Sequence, residues 1–370
     1  MRFLPVSPLL LAATVVARAP ALTAQAPRPT MSIEEYEPRS TLVVPAHPKP
    51  RAKFPFIDVH GHQPTAPSET ALAKLIAEMD QLNMRVMVNL SGRQGPALAA
   101  AVQNYARHAQ RIVFFANLNF TGLDDPAWGA RAAAQLEQDV RQSGAVGLKI
   151  FKNLGMDLKD GGGQRVRTDD PRLDPVWRKA GELGIPVLIH TAEPPAFFDP
   201  IDKYNERWLE LTQFPGRARP PERYPPFDSL MTEQHRVFKR HPGTQFIAAH
   251  LDWMGADLGR LGRLLDSLPN VFTEVGAVIY ELGRQPRAAR EFLIKYQDRV
   301  MMGKDAYAAE EYPVYFRIFE TADEYFDYYR KRHAFWKMYG LDLPDPVLKK
   351  IYYQNALRVI RGIPREGFPE

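Results

Sequence analysis

The sequence predicts an α/β protein of the (β/α)8 TIM-barrel class, and three observations carry that reading. From Phe54 onward, short apolar runs alternate with longer amphipathic stretches. Eight such runs fit within about 250 residues, the usual size of this barrel. No Gly-x-Gly-x-x-Gly follows the first run, which removes the best sign of the rival doubly wound sheet.

The expected strands are residues 54–60, 85–90, 112–118, 146–151, 186–190, 245–250, 271–275 and 300–303. The helices expected between them are 68–82, 96–108, 130–142, 171–183, 228–241, 257–266 and 285–296. In the first strand a period of two puts Asp58, His60 and His62 on one face, with Ile57 and Val59 on the other. Lys149 shares inward parity with Gly147 and Phe151, and Glu274 faces inward at the end of the seventh strand. His250 shares its face with Phe246 and Ala248, and Asp305 with Met301 and Gly303. A last helix over 344–360 has Asp345 as its expected N-cap and Pro346 at its first position, and buttresses the barrel.

Three stretches fall outside the repeat. Residues 1–26 read as a secretory signal peptide: Arg2 leads, an apolar core follows, and Ala24-Gln25-Ala26 resembles a cleavage site. Export to the periplasm or the medium is the expectation, with no membrane span left after cleavage. Residues 27–53, rich in proline, read as a linker or an arm on the domain surface, and the barrel domain spans 54–365. Segments 193–227 and 307–339 are aromatic-rich and follow the fifth and eighth strands. The first reads as a lid over the substrate and the second as a helical wall, with packing or a homo-oligomer surface as the other reading. Arg217, Arg219 and Arg223 in the first could clamp an anion or simply be solvated.

Composition sets outer limits. The 45% hydrophobic and 25% charged content is that of a globular protein with a sizeable core. The formal charge of +5 includes Arg2 and Arg18 of the leader. No lysine or arginine run of the kind that binds nucleic acid is present, so a small-molecule substrate is the expected partner. With no cysteine, neither disulfides nor thiolate metal ligands are available.

The chemistry-bearing residues cluster at strand ends. In a barrel those ends share one rim, so distant residues converge there. Four of the nine histidines sit at such ends: His60, His62, His190 and His250. Asp305 adds a carboxylate. Imidazoles with a carboxylate suit zinc, and also manganese or iron, which ligand type alone does not separate. Asp305 could take and return a proton, and His250 could hydrogen-bond a water or polarise a carbonyl.

Asp58-Val59-His60-Gly61-His62, Val146-Gly147-Leu148-Lys149-Ile150, Val187-Leu188-Ile189-His190, Ala249-His250-Leu251 and Gly303-Lys304-Asp305 occur in that order. With the closing Gln354-Asn355-Ala356-Leu357-Arg358, the chain resembles the amidohydrolase superfamily. Within it, it resembles the amidohydrolase-2 branch that includes aminocarboxymuconate-semialdehyde decarboxylase. The resemblance implies His60, His62, His190 and Asp305 as metal ligands, with His250 catalytic or an extra ligand. It also implies either a hydrolase cleaving a C–N or C–O bond or a non-oxidative decarboxylase of an unsaturated or aromatic acid. A catalytically silent metal-binding protein is the third reading. Other branches carboxylate a fourth-strand lysine to bridge two metals, a role open to Lys149 beside positioning a ligand or contacting a substrate carboxylate. Glu274 reads as a substrate or ligand-orienting residue, or half of an ion pair, and Asp58 as orienting the site.

Overall fold

The computed structural model describes residues 30–33 and 35–369. The expected signal peptide therefore lies outside the described residues. The described residues up to Thr41 belong to one unit and those from Leu42 onward to another. In the first, the Ser32 amide donates to Glu35 Oε2 (3.0 Å) and the Glu35 amide to Ser32 Oγ (3.2 Å).

The second unit is the barrel. Its strands are β1 (Phe56–Gly61), β2 (Met84–Asn89), β3 (Ile112–Asn117), β4 (Gly147–Ile150), β5 (Val187–Ile189), β6 (Phe246–Ala248), β7 (Val271–Glu274) and β8 (Val300–Met301). All neighbours pair in parallel and in sequence order. The Val59 amide donates to the Met302 carbonyl (3.0 Å) and the Asp305 amide to the His60 carbonyl (2.7 Å), bringing β8 back to β1.

Alternation decides what lies inside. A Cβ on Gly147 would run into the Phe115 ring, so Gly147 leaves room for that ring inside the barrel and sets Lys149 on the inner face. On the outer face, helices cover the sheet: Trp177 meets Phe246 edge-on at 6.5 Å, and Phe238 lies 4.8 Å from Phe246. Ser68 caps the helix Glu69–Leu82 through the Ala71 amide (3.1 Å), and Asn83 ends it in the left-handed conformation.

The structure differs from expectation in four places. Phe246 packs outward against Trp177 and Phe238 rather than inward with His250. His250 lies beyond the strand end in the left-handed region, so it does not continue the strand's alternation. Strands β4, β5, β6 and β8 stop one to two residues early, because the chain turns out of the sheet to present its rim side chains. Segment 307–339 is helical only over Tyr312–Glu320 and for one turn at Ala309–Glu311. Beyond it the backbone finds its partners across the segment, with Gly340 donating to the Asp323 carbonyl (2.7 Å) and Leu341 to that of Ile318 (2.6 Å). The last helix starts at Asp345, but Pro344 occupies the cap position and the Asp345 carboxylate pairs with Lys53 (2.5 Å). That helix widens into a π-turn at Lys350–Gln354. There the Ile351 carbonyl accepts from the Met302 amide (2.8 Å), and Asn355 donates to the Val300 carbonyl (2.8 Å). The helix thus fastens β8 from outside. The arm does the same for the opposite end of β2, since Ala52 donates to Leu82 (3.2 Å) and Arg51 to Asn83 Oδ1 (2.9 Å).

Candidate active site

The four rim histidines and Asp305 meet at one end of the barrel. Ring centroids lie 5.3 Å apart for His60 and His62, 4.8 Å for His60 and His250, and 4.5 Å for His190 and His250. Asp305 Oδ1 stands 3.7 Å from His60 Nε2 and 3.5 Å from His62 Nε2. Two overlapping groups of possible ligands result, His60–His190–His250 and His60–His62–Asp305, joined through His60.

Acceptors behind the rings set which nitrogen faces inward. Glu274 Oε1 accepts from His60 Nδ1 (2.9 Å) and from the His250 amide (2.7 Å). The Gly276 carbonyl accepts from His250 Nδ1 (2.7 Å), and Ser91 Oγ lies 2.9 Å from His62 Nδ1. A carboxylate and a carbonyl only accept, so His60 and His250 carry their protons on Nδ1 and turn the Nε2 lone pairs to the site. His190 Nε2 is buried with no hydrogen-bond partner among the described residues.

Burial pushes His62 down to about 4 and His60 and His190 well below the ordinary histidine range, so the rings are neutral. Burial works against charge on Asp305 too, but its attraction for any proton on the surrounding imidazoles, and for Lys149, outweighs burial and holds the carboxyl at about 2. Neutral imidazoles with aligned lone pairs, an ionised carboxylate and an orphaned nitrogen are a donor set that fits a divalent metal ion.

Two expected neighbours position rather than approach the cluster. Glu274 clamps β1 to β6 as described, and its Oε2 accepts from the Gly276 amide. Asp58 accepts from the His60 amide (2.9 Å), the Lys304 amide (3.1 Å) and Tyr312 Oη (2.6 Å), and burial raises it to about 6. Lys149 is fully buried, with Nζ 3.3 Å from His60 Nε2. Burial pushes it down to about 7, and it has no carboxylate partner within ion-pair distance among the described residues.

Strained backbone builds the rim. After β6, His250, Leu251, Asp252 and Trp253 all have positive φ (61°, 54°, 54° and 53°), and Asp305 has φ 75°. Each such residue costs about 1–2 kcal/mol. Contacts hold the turn in place: Asp252 accepts from Gln234 and lies 2.6 Å from His235 Nε2, and Trp253 donates to the Thr191 carbonyl (2.9 Å).

Segment 193–227 leaves β5 at the same rim. Two of its three named arginines are tied to acids rather than free to clamp a substrate, Arg219 to Glu193 (2.8 Å) and Arg217 to Glu210, while Arg223 lies over the Tyr224 ring (5.7 Å). Lys152 also binds Glu193 (2.6 Å). The cation that sequence reasoning missed is Arg93, in the loop after β2. It lines a cavity of about 390 Å³ together with Asn117, Asn119, Phe120, Lys149 and Phe151. The glycines flanking its Arg-Gln pair at a strand end were the available signal.

The fold has solved counterparts. A 2,6-dihydroxybenzoate decarboxylase from Rhizobium shares 15% identity over 82% of this chain and 98% of its own, with a TM-score of 0.52. A dihydroxybenzoic acid decarboxylase from Polaromonas sp. JS666, with bound manganese and the inhibitor 2-nitroresorcinol, shares 13% over 82% and 96%, with a TM-score of 0.51. The 4-oxalomesaconate hydratase of Rhodopseudomonas palustris shares 16% over 83% and 96%, with a TM-score of 0.50. At these identities the likeness is one of fold. No curated protein matches the sequence significantly. The amidohydrolase family profile matches residues 57–362, from the first strand to the end of the last helix. The chain belongs to the amidohydrolase family.

Proposed function

We propose that the protein is a metal-dependent decarboxylase of an unsaturated or aromatic carboxylic acid. The observation that carries this reading is Lys149, a buried lysine beside His60 that opens onto a cavity and lacks a carboxylate partner. A buried cation without a counter-ion is costly, and a substrate carboxylate would relieve it. The decarboxylases among the structural neighbours agree with this reading.

A divalent ion held by the histidines and Asp305, zinc first and manganese as the alternative, would supply a positive centre that polarises a substrate oxygen. Lys149 holds the carboxylate that departs. Asp305 takes a proton from the substrate or from water and returns it to the carbon that loses carbon dioxide. Phe151, 5.9 Å from the His62 ring, gives a planar substrate a face to lie against. Hydrolysis of a C–N or C–O bond is the second reading. It is favoured by the ionised state of Asp305, which suits a base for an attacking water.

Screening the metal-loaded protein for carbon dioxide release, beside amide, ester and lactone hydrolysis, tests the choice. Carbon dioxide release that stops on chelation and returns with zinc or manganese is expected. Hydrolysis without carbon dioxide would sink the lyase reading, and full activity of metal-free protein would sink the metal. Export through residues 1–26 is part of the proposal. Sequencing the mature N-terminus should find Pro27 first, and an intact Met1 on protein purified from its natural host would refute it.

A further inference from the structure

We infer that Arg93 is a specificity residue that recognises a second anionic group on the substrate, in the cavity it shares with Lys149. The inference rests on the site reading above and adds a substrate class to it: planar acids with two anionic groups.

Arg93 is placed with unusual care for an exposed loop residue. It has a positive φ of 71°, which an arginine adopts only when its surroundings enforce it. Asn117, at the end of β3, supplies that enforcement from both sides. Its Oδ1 accepts from the Arg93 amide (2.9 Å), and its own amide donates to the Arg93 carbonyl (2.7 Å). Its Nδ2 also donates to the Leu90 carbonyl (2.9 Å), so the main chain and side chain of one residue together splint the turn. Gly92 has no room for a Cβ against the Phe115 carbonyl, and the Gly95 amide is tied to Asp139 (2.7 Å).

The backbone is thus fixed at every step, yet the guanidinium has no hydrogen bond or ion pair among the described residues. The contrast with Arg217 and Arg219, both paired with acids, is informative. No aspartate or glutamate lines the cavity that Arg93 and Lys149 share. With no acid lining the cavity, the Arg93 guanidinium gives it a positive potential, which selects anions. Asn117 and Asn119 contribute neutral polar walls, and Phe120 and Phe151 contribute aromatic ones. A planar molecule fits such walls, and the forked donors of arginine match a carboxylate edge-on.

Calorimetric titration of the full-length, metal-loaded protein with isophthalate and with benzoate tests the assignment. Isophthalate carries the second carboxylate that benzoate lacks. The wild type is expected to bind isophthalate at least about tenfold more tightly. Arg93→Gln should erase that preference while leaving benzoate affinity and metal content unchanged, and Arg93→Lys should keep only part of it. Equal affinity of the wild type for both probes, or an isophthalate preference that survives in Arg93→Gln, would overturn the inference. The two readings fail separately. An Arg93-dependent preference in a protein that releases no carbon dioxide supports the inference and removes the decarboxylase. Carbon dioxide release with an Arg93-independent preference does the reverse.

Discussion

Replacing Asp305 with asparagine lowers kcat by about 10²- to 10⁴-fold, the usual contribution of a positioned proton-transfer group. The change is close to isosteric, so the loss reports chemistry rather than shape. Asparagine accepts positive φ as readily as aspartate does, and the backbone of residue 305 sits at 75°. The amide bond to the His60 carbonyl is made by the main chain and survives the substitution. What disappears is the ionised oxygen within 4.0 Å of His60, His62 and His250. The variant should melt near the wild-type temperature. Its metal content, measured by elemental analysis, separates a lost ligand from a lost proton carrier: full occupancy with kcat depressed assigns the proton role. Turnover within tenfold of wild type at full occupancy would refute that role.

Glu274→Gln weakens metal affinity by about 10- to 100-fold, the scale set by groups that orient metal ligands. Glu274 is fully buried and accepts from three donors: His60 Nδ1, the His250 amide and the Gly276 amide. Glutamine has one accepting oxygen where glutamate has two. Whichever way the amide turns, its NH2 meets at least one N–H, leaving a buried donor unsatisfied at a cost of about 1–3 kcal/mol. If the NH2 faces His60, the ring loses its reason to keep the proton on Nδ1, and the lone pair presented to the metal is lost with it. Competition with a chromogenic chelator measures the affinity. An unchanged value would mean that His60 does not bind through Nε2.

The convergence of the histidines and Asp305 was legible in the sequence because strand periodicity fixes direction, and the barrel fixes convergence. Asp58, His60 and Lys149 needed only parity and a strand end to be set inside. The loops were harder, since their shape depends on side chains from other strands. Arg93 owes its position to Asn117, and nothing in the order of residues 92–95 announces that partner. Arg217 and Arg219 were misjudged for the same reason, because Glu210 and Glu193 claim them across folds of the chain. Segment 307–339 has helix-forming aromatics, but backbone pairs such as Phe326 with Met338 replace most of the helix. Strand ends ran short where residues such as His250 turn into the left-handed region, which no periodicity predicts.

The seam between β8 and β1 has a kinetic meaning. Strand β8 is only Val300–Met301, and it meets the strand from the other end of the barrel sequence through a few main-chain bonds. Joining such remote partners carries the largest chain-closure entropy in the molecule, which favours making that contact late in folding. Asp305 is both a member of the seam, bridged to Gly61, and the carboxylate of the site. A nearly complete barrel with an open seam would thus hold its histidines yet lack the Asp305 carboxylate. Activity regained during refolding counts closed barrels, whereas helix content counts chains that have merely collapsed.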